Sequence, residues 1–70
     1  MTPALKAWLS AARASAKASE ARTALPFGSS RARVTTANAR WSRHAEERDR
    51  LYAALSEEEK ATADSMIRNF

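Results

Sequence analysis

His44 is the single histidine of this chain, and Glu47 follows it three residues later, one helical turn on. The pair offers two metal-ligand types on one face, but two ligands do not make a site. No cysteine or second histidine is present to complete one. Nucleophilic catalysis needs a base held by an orienting group beside a Ser or Thr hydroxyl. His44 stands instead among Arg43, Glu47 and Arg48, with no pocket implied. The consecutive acids Glu57, Glu58 and Glu59 are accounted for by a helix start, where carboxylates meet unpaired amides and the positive end of the dipole. One glycine cannot build a loop that cradles phosphate. The chain reads as a non-enzyme, with no cofactor, no metal and no small-molecule substrate expected.

Binding chemistry is better represented. Arg31, Arg33, Thr35, Asn38 and Arg40 cluster just after the Pro- and Gly-containing segment, and their side-chain types contact phosphates and base edges. A nucleic-acid-binding module using these residues is the alternative reading. Against a specific DNA reader, the preceding helix is long, the turn spacing is not that of a helix-turn-helix, and the second helix turns acidic beyond Arg43.

Charge is unevenly spread. Residues 1–40 carry seven basic residues against Glu20, whereas residues 41–70 carry five basic and seven acidic ones, for a net +4 overall. Such asymmetry suits an anionic partner, or two copies whose opposite ends attract. Only fourteen large apolar side chains occur in seventy residues, so the core is thin and burial against a second chain is expected. The absence of cysteine fits a reducing compartment, and a cytoplasmic location is the expectation. Residues 1–22 share an Ala-, Ser-, Lys- and Arg-rich composition with mitochondrial transit peptides, although an ordinary first helix is the plainer reading. Lys6, Arg13 and Lys17 interrupt every apolar run there, which rules out a secretory h-region or a membrane span in that stretch.

The elements that position these residues are helices, since no period-two alternation marks a strand. The expected fold is all-α, a single domain over residues 1–70. It comprises three helices at about 3–22, 30–55 and 57–69, a helical hairpin plus a short C-terminal helix, and it is expected to oligomerise. Thr2-Pro3 is an N-cap and first-turn pair. Leu25-Pro26-Phe27-Gly28-Ser29-Ser30 is the loop, with Leu25 and Phe27 expected to fold back over the end of the core, and Ser29 or Ser30 caps the second helix. Ser56 to Glu59 reads as a capping box that breaks the chain between helices two and three, with one kinked rod as the alternative because neither Gly nor Pro separates Leu55 from Ser56.

Helix one carries two adjacent apolar surfaces. Leu5, Trp8, Leu9, Ala12 and Ala16 follow core spacing, while Ala4, Ala7, Ala11, Ala14, Ala18 and Ala21 recur at heptad spacing. This alanine seam is either a helix contact, within the chain or across a dimer, or simply the result of alanine being abundant and a good helix former. Lys6, Ser10, Arg13, Lys17 and Glu20 are the wet strip. On helix two the stripe is Val34, Ala37, Trp41, Ala45, Tyr52 and Leu55, edged by Leu51, with Arg48 inside it as a snorkelling side chain or a register-fixing partner. Arg43–Glu47 and Glu46–Arg50 are expected as surface i,i+4 pairs. Ala63, Met66, Ile67 and Phe70 form the apolar face of helix three, expected to dock on the Trp41–Tyr52 region. The resulting expectation is a small protein-binding module, a regulator or inhibitor that occupies a partner's surface. Ala4, Ala7, Trp8, Ala11, Ala14, Ala18, Trp41 and Arg48 are its candidate contact residues, and a second copy of the chain is its candidate partner.

Overall fold

Local signals decide where each helix begins. In the computed structural model, which describes residues 1–69, the Leu5 amide donates to Thr2 Oγ1 at 3.2 Å and Pro3 occupies the first turn of α1 (Pro3–Thr23). The Arg33 amide likewise donates to Ser30 Oγ at 3.2 Å, which makes Ser30 rather than Ser29 the cap of α2 (Arg31–Ala53). Ser56 and Glu59 form the full reciprocal capping box at the start of α3 (Glu57–Arg68). The described residues contain these three helices and no strand. Phe70, expected on the apolar face of helix three, lies outside the described residues.

The break between α2 and α3 falls two residues earlier than the sequence pattern suggests. Ala54 caps α2, and Leu55 leaves the helix to become buried beneath it, 5 % exposed. Burying that side chain while Ser56 takes an extended backbone lets the chain reverse without Gly or Pro.

α1 and α2 run antiparallel, and α3 reverses again to lie parallel to α1, in a body 45 × 21 × 14 Å. Leu5, Trp8, Ala12, Leu55 and Ala63 form the buried cluster, with Leu9, Leu51, Tyr52 and Met66 packed on it. Trp8 is its centre at 1 % exposure, its indole tilted against the Tyr52 ring at 6.5 Å. Tyr52 also reaches α3: its hydroxyl donates to Asp64 at 2.8 Å, and Lys60 lies over its ring. The hydrogen bond to Asp64 and the nearby carboxylates push the phenol above its ordinary pKa.

The N-termini of α1 and α3 are tied by one carboxylate. Glu59 accepts from the Ser56 amide at 2.9 Å and from the Thr2 hydroxyl, so it sits between the N-terminal ends of α1 and α3. Two parallel helices present two positive ends there, and a single anion serves both. The Thr2 hydroxyl first, and Ser56 second, hold the Glu59 carboxyl below its usual range.

The loop departs from expectation. Leu25 is half-buried, but Phe27 is fully exposed and covers nothing. Pro26 to Ser29 form a hydrogen-bonded turn, Ser29 amide to Pro26 carbonyl at 3.1 Å, with Gly28 at φ 84° in its third position. That geometry is a type II turn, and it aims the Phe27 side chain outward. Ile67 and Val34 are also half or more than a third exposed, so the stripes of helices two and three are only partly buried.

Two outcomes follow for solution stability. Gly28→Ala forces a side chain into the left-handed region and should lower stability by about 1–2 kcal/mol, whereas Phe27→Ala should change it by less than about 0.5 kcal/mol, both read from urea unfolding midpoints. Glu59 is depressed in the folded state, so its contribution is present above its ordinary value of 4.5 and fades as pH falls through the lower folded value. The midpoint should therefore drop in acid, and Glu59→Gln should flatten that pH dependence; an unchanged slope would remove the Thr2–Glu59 tie from the account.

Candidate interaction surfaces

The contact between α1 and α2 is built on small side chains. Ala11, Ser15 and Ala18 are all buried and recur at steps of four and three, which puts them in one line along α1. Ser15 is 2 % exposed, and Arg48 Nη1 of α2 donates to its hydroxyl at 3.3 Å. The other donors of Arg48 engage Asp49, with Nε and Nη2 both 3.1 Å from Oδ1. Arg48 thus lays its stem along the hairpin and fixes register within the chain. Further along, the Arg22 guanidinium stacks 4.4 Å from the Trp41 ring centre and reaches Asn38 Oδ1 at 3.5 Å.

The alanine seam is accordingly divided. Ala11 and Ala18 are consumed inside the chain and Ala14 is half-buried, while Ala4, Ala7 and Ala21 remain exposed. Of the other contact candidates, Trp8 is the buried centre of the core, and Trp41 and Arg48 are half-buried at the interhelix groove. Ala16 was expected in the core and is exposed, because α3 ends at Arg68 and reaches only far enough to set Ile67 beside it. Ser15 belongs to neither surface in the sequence reading. Its position three residues after Ala12 and three before Ala18 was the available signal.

Where α3 stops, the hairpin is left uncovered on that side. The resulting groove, of about 320 Å³, has Trp8, Ala12 and Ser15 in its floor and Ala16, Ser19, Trp41, Arg48 and Ile67 around it. Ile67 is 50 % exposed at its rim. The opposite side of the hairpin carries a second groove, where Arg33, Thr36 and Arg40 of α2 face Ala21 and Leu25.

The five residues of the nucleic-acid reading do not share a face. Arg31, Thr35 and Asn38 follow helical spacing on one side of α2, while Arg33 and Arg40, seven residues apart, lie roughly opposite them at 100° per residue. No single groove of a nucleic acid meets all five. Ion pairing also differs from the surface pairs expected: Glu47 is held by Arg50 through two contacts, at 2.7 and 3.1 Å, and not by Arg43. That pairing lowers the Glu47 carboxyl and raises the Arg50 guanidinium. Among the described residues no group of three or more His, Asp or Glu stands close enough to hold a metal ion, and no helix is long and apolar enough to cross a membrane. No family model, curated protein or solved structure matches the chain.

The small-residue line gives a direct test. Ser15→Leu adds bulk at a fully buried position of α1 and removes the hydrogen bond to Arg48, so it should destabilise the fold by about 1–3 kcal/mol. Ala16→Leu, one residue on but exposed, should be close to neutral; equal losses at both positions would contradict the packing described.

Proposed function

We propose that the chain is a non-catalytic helical interaction module that pairs with a second copy of itself through the groove beyond the end of α3. The observation that carries this reading is the set of apolar side chains α3 leaves open, Trp41 and Ile67 over the Trp8 floor, in a body where no α2 residue is fully buried. An aromatic and a branched aliphatic side chain at a groove rim are the anchors helical interfaces use.

Charge favours a second copy as the occupant. Residues 13–43, which make up the loop end of the hairpin, hold seven basic residues against Glu20. The remaining residues, at the other end, hold five basic and seven acidic ones. A two-fold, antiparallel pair sets each basic end on the acidic end of its partner, and a two-fold interface uses the same groove twice.

Sedimentation equilibrium tests the reading. The wild-type chain is expected to dimerise at micromolar concentration, and Ala16→Glu, which places a carboxylate in the groove from an exposed position, should yield monomers with unchanged helicity. A wild-type chain that stays monomeric to millimolar concentration would sink it.

A further inference from the structure

We infer that the side of the hairpin facing away from α3 binds the phosphodiester backbone of double-stranded nucleic acid, through Arg33, Thr36, Arg40 and Arg43. This surface is distinct from the groove proposed for self-association and lies on the opposite face. Arg33, Thr36 and Arg40 form one wall of the second groove, and Arg43 continues the same helix face three residues on. The guanidiniums are thereby strung along about 15 Å of helix.

Three observations single out this row. The ion pairs among the described residues are Arg48–Asp49, Arg50–Glu47 and Lys60–Glu57, all in the C-terminal half, so none of Arg33, Arg40 and Arg43 is neutralised. The nearest acids that follow on α2, Glu46 and Glu47, come only at the Arg43 end of the row, and Glu47 is itself clamped by Arg50. The facing wall supplied by α1 is Ala21, followed by Leu25, with no carboxylate, and small side chains let a backbone approach the guanidiniums closely.

The arrangement suits phosphates in a row better than other anions. Thr36 adds a hydroxyl between the arginines, as phosphate contacts commonly do. No aromatic side chain lines this groove to stack an unpaired base, which favours a duplex backbone over a single strand and removes sequence readout. A membrane surface would demand a broad apolar insertion face beside the charge, and beyond the groove's alanines and half-buried Leu25 the loop adds only the single exposed side chain of Phe27.

Fluorescence anisotropy of a labelled 20-base-pair duplex, with the full chain at low salt, tests the inference. Binding is expected, within threefold for unrelated sequences, and weakening with salt. Arg33→Ala with Arg40→Ala should weaken it at least tenfold and reduce the salt slope by about two. Arg31→Ala with Thr35→Ala, on the other side of α2, should leave affinity within twofold. Ala16→Glu separates this from self-association, since a monomer with an intact arginine row should still bind. No duplex binding by the wild-type chain, an equal loss from both double variants, tighter binding of the same single strand, or binding to phosphatidylserine vesicles and not to the duplex would each overturn the proposal.

Discussion

The close approach of α1 to α2 through Ala11, Ser15 and Ala18 is the constraint on which the rest of the molecule depends. Small side chains bring the two backbones near, and near backbones leave little room for large residues between them. Bulk is displaced to either side of that line. Trp8 and Leu5 therefore turn toward α3 and meet Leu55 and Ala63, while Trp41 is pushed to the groove edge and covered on one face by Arg22. The Ser15 hydroxyl gives the approach its register, because a buried polar atom must find its partner and Arg48 is the side chain that reaches it. A shift of one turn would break the Ser15–Arg48 hydrogen bond and move Tyr52 away from Trp8.

Much of this was legible in the sequence for an identifiable reason. Helix starts are local: Thr2, Ser30 and Ser56 each satisfy an amide three residues on, so boundaries could be read from a few neighbouring residues. The core face of α1 was legible at Leu5, Trp8 and Ala12, because apolar spacing reports which side of a helix is dry. What spacing cannot report is how far a neighbour extends. Ala16 continues the core pattern perfectly and is wet, since α3 ends before covering it. Phe27 fails for a related reason: its direction is set by the turn type that Gly28 permits, and hydrophobicity carries no information about that.

The candidate surfaces were legible in residue type and not in arrangement. Alanine at heptad spacing signalled a close helix contact, and the contact proved to be inside the chain for Ala11 and Ala18. The arginines after the loop signalled an anionic partner, but a list of residues in sequence order hides that Arg31 and Arg33 point to different sides of one helix. Sorting them by face is what separates the row along Arg33, Arg40 and Arg43 from the rest.

The tie between Thr2 and Glu59 spans 57 residues and is made by the first turn of one helix and the first turn of another. Between those two points the hairpin has its own small-residue seam, but its core around Trp8 is closed by Leu55 and by Ala63 of α3. α3 adheres to it through Ala63, Met66, the Tyr52–Asp64 hydrogen bond, Lys60 over the Tyr52 ring and the Glu59 carboxylate, with Ile67 at its far end beside Ala16. Because α3 shares far less contact with α1 than α2 does, its amides are expected to exchange faster than those of the hairpin helices.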